Sequence, residues 1–66
     1  MNKEMIIKAA EDELVNEYHC TITHPYNDGY REYTYQGQVI GGVNPDGYNA
    51  GACIMQFAEV FKKICY

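Results

Sequence analysis

The strongest constraint on this chain is that its hydrophobic period changes twice. It runs near 3.6 residues at both ends and near 2 in the middle, which predicts a helix, then strands, then a helix. From Lys3 to Glu17, the residues Ile6, Ile7, Ala10, Leu14 and the following Tyr18 fall within about 120° on a helical wheel, a stripe that must face a core. Asn2 is placed to cap this helix, and Glu4 and Lys8 have the favourable i,i+4 spacing. Glu11, Asp12 and Glu13 carry most of its remaining charge. Five of the nine acidic residues (Glu4, Glu11, Asp12, Glu13 and Glu17) fall in this one segment, so an acidic helix is expected, with Glu17 at or just past its end.

Tyr18 to His24 alternates apolar with polar residues and is rich in β-branched and aromatic types, which predicts a half-buried strand ended by Pro25. Tyr26-Asn27-Asp28-Gly29 tolerates the positive φ of a hairpin connection. Arg31 to Tyr35 reads as a second strand, and Gln36-Gly37 is the right length for a two-residue turn into a third, Gln38 to Gly42. One long strand from Arg31 to Ile40, bulged at Gly37, is the alternative. Gly41 to Gly47 is dense in turn formers and is expected to be the main loop. From Asn49 to Cys65 the apolar positions Ala50, Cys53, Ile54, Phe57, Ala58, Val60, Phe61, Ile64 and Cys65 span about 160° of the wheel, broad for a helix with one buried face. Asn49 suits its N-cap, and Lys62 and Lys63 suit the negative end of its dipole. The expectation is an α+β fold: helix, three-stranded antiparallel meander, helix, with both helices on one face of the sheet.

At 66 residues the chain is expected to form one domain, residues 1–66, with a core barely large enough to offset the entropy of folding. Its 47% hydrophobic content separates it from disordered sequences. No apolar run reaches the length of a membrane span, and Met1-Asn2-Lys3-Glu4 opens an amphipathic segment rather than a signal peptide, so a cytoplasmic protein is expected. Three cysteines, Cys20, Cys53 and Cys65, are an odd number at irregular spacings and read as reduced thiols.

The chain offers little that would carry catalysis. On a strand, His19 and His24 point to opposite faces, and Cys20 and His24 stand about 13 Å apart, too far to share one zinc ion. Cys53 lies on the apolar stripe with Ile54 and Phe57 and reads as a small buried hydrophobe. No pair of carboxylates is set among apolar residues as acid/base work requires, and Asn44, Asp46 and Asn49 do not form a calcium-loop pattern. Neither an enzyme nor a bound cofactor or metal is expected.

The unusual feature is seven tyrosines, with two phenylalanines and no tryptophan. A tyrosine offers a large apolar area with a polar tip, which suits binding surfaces. Tyr26, Tyr30 and Tyr48 sit in or beside expected loops, whereas Tyr33 and Tyr35 share one strand face and read as core or rim residues. A net charge of −4 repels phosphate backbones and favours basic partners, so direct nucleic-acid binding is disfavoured.

The element order and the run Tyr33-Thr34-Tyr35-Gln36-Gly37-Gln38-Val39-Ile40-Gly41 resemble the double-stranded-RNA-binding domain. That resemblance implies lysines gripping phosphates at the start of the last helix, where this chain has Asn49, Ala50 and Gly51. In size, charge and compact α+β organisation the chain is also similar in type to small acidic proteins of phages and mobile elements, such as anti-CRISPR and other host-inhibitor proteins. The resulting expectation is a small protein-binding inhibitor or regulator that occludes a basic surface of a partner protein. Its contacts would come from Glu11, Asp12, Glu13, Tyr26, Tyr30 and Tyr48. The alternatives are a homo-oligomer (a homodimer in the simplest case) with a structural or assembly role, favoured by the broad stripe of the last helix, and an RNA-binding module of the topology just described.

Overall fold

A computed structural model describes residues 2–65. Helix α1 spans Lys3–Asn16, strands β1 (Thr21–Thr23), β2 (Arg31–Tyr35) and β3 (Gln38–Val43) form one sheet, a 3-10 turn covers Pro45–Gly47, and helix α2 spans Ala50–Cys65. The sheet is an antiparallel meander in the order β1-β2-β3. This is the expected α+β architecture.

The helix starts are capped as the sequence implies. The Asn2 side chain accepts from the Met5 N–H at 2.8 Å, and that of Asn49 accepts from the Ala52 N–H at 2.9 Å. Lys8, however, pairs with Asp12 at 2.9 Å rather than with Glu4. Glu17 is the C-cap of α1, its N–H bonded to the Glu13 carbonyl.

The expected strand from Tyr18 shrinks to Thr21–Thr23 because the chain must first leave the helix. It does so through His19, which adopts φ 58°. There its N–H donates to the Val15 carbonyl (3.2 Å), and the Cys20 N–H donates to that of Leu14 (2.9 Å), satisfying two of the last helical carbonyls. Glycine is the usual residue for that conformation, and histidine is among the few others that visit it.

Gln36 (φ 51°) and Gly37 (φ 81°) form the two-residue turn with both central residues at positive φ, so three strands, not one long one, are present. The sheet does contain a bulge, but on β3. Tyr33 pairs with Gly41 and Thr34 with Val39, leaving Ile40 as the extra residue. Gly41, at φ 151°, also lets α2 approach, since a Cβ there would lie 3.1 Å from Val60 Cγ2. Gly41 to Val43 therefore extend β3 instead of opening the main loop, which reduces to the stretch around the 3-10 turn.

Both helices cover the sheet face that carries Arg31, Tyr33 and Tyr35. Tyr33 reaches Glu11 of α1 with its hydroxyl and packs its ring on Phe57 of α2, centroids 5.7 Å apart. Ile7, Leu14, Cys20, Tyr33, Ile40, Val43, Cys53, Phe57 and Val60 form the core cluster. The opposite face, with Thr21, Thr23, Glu32 and Thr34, is covered by no helix among the described residues.

Candidate functional site

The acidic residues of α1 do not act as a unit. Glu11 follows Ile7 by one turn and precedes Leu14 by three residues, so it lies on the buried stripe and turns inward. Arg31 grips it with two donors, Nε to Oε2 and Nη2 to Oε1 (3.2 Å), and the Tyr33 hydroxyl donates to Oε2 at 2.7 Å. Only 12% of the Glu11 side chain is exposed, against 30% for Arg31. Burial, with the Glu11 bond and charge adding to it, pushes the Tyr33 phenol far above its ordinary range. The expectation that Glu11 is a solvent-facing contact residue is thus corrected: it holds α1 to the sheet. Asp12 and Glu13 are exposed, Asp12 in its surface pair with Lys8 and Glu13 at the rim of an apolar groove between the helices.

The three loop tyrosines, in contrast, are brought toward one end of the molecule. The hairpin loop and the loop before α2 touch at Gly29 and Asp46, so closely that a Cβ on Gly29 would fall 2.4 Å from Asp46 Oδ2. Lys3 fastens the second loop to the start of α1, donating to the carbonyls of Pro45 and, at 3.1 Å, Tyr48. Within the loops, Asp28 accepts from the Tyr30 N–H (3.0 Å) and Asn44 from the Asp46 N–H (3.1 Å), both Asx turns that fix the backbone. Asn44 is held in turn by Gln56 of α2.

The tyrosines differ in role. Tyr30 is half-buried and lies across Gly42 on the open sheet face, where a Cβ would overlap its ring. Desolvation, followed by the neighbouring Glu32 charge, raises its pKa. Tyr26 leans on it with ring centroids 5.7 Å apart and remains 64% exposed, and Tyr48 is 50% exposed. Tyr30 is therefore a support, and Tyr26 and Tyr48 are the presented rings. Asp28 and Asp46 belong to the same two loops, both exposed and neither in an ion pair among the described residues.

Elsewhere the chemistry is sparse. Cys20 and Cys53 are buried and Cys65 exposed, all three as free thiols, and burial raises the Cys20 pKa. Among the described residues no three His, Cys, Asp or Glu side chains gather as a metal-ligand set, and no helix is long and apolar enough to cross a membrane. A cleft between α1 and the loops is lined by Lys3, Lys8 and Arg31 with Glu4, Glu11, Asp12 and Asp46, and each of its basic groups already has an oxygen partner. The start of α2, where the RNA-binding resemblance implies lysines, presents the Asn49 cap, Ala50 and Gly51, with Lys62 and Lys63 at the far end. Sequence reasoning missed Lys3 as the loop clamp, because its partners are backbone carbonyls more than forty residues away. The chain matches no protein-family model, no curated protein and no solved structure.

Proposed function

We propose that this chain is a protein-binding regulator or inhibitor, not an enzyme, and that it engages a basic patch on its partner with the loop end bearing Tyr26 and Tyr48. The observation that carries this reading is the joining of two loops at Gly29 and Asp46, loops that carry two exposed rings and two carboxylates outside any ion pair among the described residues. Exposed aromatic rings on rigid supports make inexpensive hot spots, because little side-chain entropy remains to be lost on binding. The carboxylates reject acidic partners and attract lysine and arginine, and the net charge of −4 steers a basic protein toward the chain before contact.

The test is capture from a lysate of the source cells on immobilised chain, run side by side with Tyr26→Ala and Tyr48→Ala variants at low and high salt. A partner retained by the wild type, released by salt and lost from the tyrosine variants supports the proposal. Retention that is indifferent to both tyrosines and to salt refutes it, as does the absence of any retained protein.

A further inference from the structure

The apolar stripe of α2 is broader than the fold consumes. Cys53, Phe57 and Val60 are buried, but Ile54 is 52% exposed and Met55 72%, Ala58 is exposed, and Phe61 is half-buried. Ile54, Ala58 and Phe61 form one wall of an open groove of about 420 Å³, and Ile6, Ala9 and Ala10 of α1 form the other. Met5, 55% exposed, stands on the same outer side of α1, one turn before Ala9. The helices run in the same direction: Lys3 at the start of α1 binds the Tyr48 carbonyl just before α2, and Tyr18 beyond the end of α1 meets Phe61 near the end of α2.

The two rims carry opposite charge. Glu13 lines the groove on the α1 side. On α2, Lys62 follows Ala58 by one turn on the same face, whereas Glu59 and Lys63 line a separate hollow beside β3. A partner of uniform charge is repelled by one rim or the other, but a second copy of this chain is matched by both. A two-fold axis parallel to the helices lays α1 of each copy along α2 of the other, so that the rim bearing Glu13 faces the rim bearing Lys62 twice. An axis across the helices would instead oppose α1 to α1, acid to acid.

We propose that this helical face is a two-fold homodimer interface in which α1 of each copy packs on α2 of its mate. Ala9, Gly51 and Ala58 are exposed small residues that permit close approach of the helices, and Met5, Ile54 and Met55 leave water on pairing. The gain matters for a 66-residue chain whose own core is marginal. Because the axis runs along the helices, both loop ends emerge at the same end of the dimer. The interface itself uses none of the residues of the loop end, so it stands or falls independently of the partner.

Sedimentation velocity from micromolar to millimolar concentration tests this directly. The wild type is expected to pass from monomer to dimer, and Ile54→Glu, at a half-exposed position, to remain monomeric with an unchanged far-UV circular dichroism spectrum. Glu13→Lys and Lys62→Glu are each expected to weaken dimerisation by about tenfold, since each acts twice at a two-fold interface, and the double reversal to restore it. A wild type that stays monomeric at millimolar concentration overturns the proposal, and so does an Ile54→Glu variant that dimerises normally. Charge reversals that fail to compensate overturn the pairing of α1 with α2.

Discussion

Replacing Glu11 by alanine removes the acceptor from two donors at once, and their different exposure sets the cost of each loss. Tyr33 has no exposed surface, so its hydroxyl loses its hydrogen bond with no water to replace it, a penalty of about 1–3 kcal/mol. Arg31 is 30% exposed and can turn to solvent, so its share is nearer the ~1 kcal/mol of a screened pair than the several kcal/mol of a fully buried one. The sum, about 3 kcal/mol, approaches the whole stability of a domain of this size. Glu11→Gln retains an acceptor oxygen and should cost about 1–2 kcal/mol, which corresponds to a fall in Tm of about 5–15 °C. Urea unfolding monitored by circular dichroism measures both, with Glu59→Gln, at an exposed position away from both helix-face contacts, as a surface control expected to change stability by less than about 0.5 kcal/mol. Combining Glu11→Gln with Tyr33→Phe should cost less than the sum of the single changes, because the hydroxyl that needs the acceptor is then gone. If Glu11→Gln unfolds at the same urea concentration as Glu59→Gln, the cluster of Glu11, Arg31 and Tyr33 does not hold α1 to the sheet.

The same cluster makes stability sensitive to alkali. The Tyr33 phenol is raised in the folded chain above the value of about 10 that it has when unfolded, so its contribution is fully present below about pH 10 and is lost as pH rises beyond it, at about 1.4 kcal/mol per pH unit. Urea midpoints between about pH 9 and 11.5 should fall less steeply for Tyr33→Phe than for the wild type. Gly42→Ala places a Cβ 2.2 Å from the Tyr30 hydroxyl oxygen, so the Tyr30 ring must leave the sheet. The variant should lose about 1–2 kcal/mol, and the NMR ring-proton shifts of both Tyr26 and Tyr30 should move toward free values. Tyr48→Ala should raise the dissociation rate of the captured partner, with a loss on the order of 2 kcal/mol in affinity, whereas Asp12→Asn with Glu13→Gln should mainly slow association and flatten its salt dependence; surface plasmon resonance separates the two.

Much of this fold was legible because local rules and tertiary packing agree. The caps Asn2 and Asn49, the turn Gln36-Gly37 and strand Arg31–Tyr35 each follow from residue type and period, and the structure realises each. What was hidden depends on contacts distant in sequence or on residues outside their usual role. His19 takes the chain out of α1 at positive φ without a glycine to mark it, so the strand that alternation places from Tyr18 begins only at Thr21. The bulge at Ile40 stands next to Gly41, over which Val60 of α2 lies, a contact that no local pattern encodes. Glu11 is a different case. Its spacing from Ile7 and Leu14 already placed it on the buried stripe, and Arg31, flanking an otherwise uncharged strand face, was the available cation. Position on the wheel, not charge type, separates Glu11 from Asp12 and Glu13.

The most direct test of the loop end as the contact surface is a titration of ¹⁵N-labelled chain with its captured partner, followed by the amide shifts of every assigned residue. Changes concentrated at Tyr26 to Tyr30 and at Asp46 to Asn49 are the predicted result, with the amides of Thr21 and Thr34 on the open sheet face and of Ala9 and Ala58 on the helical face little moved. Changes centred on either of those faces, with Tyr26 and Tyr48 unaffected, would contradict the account.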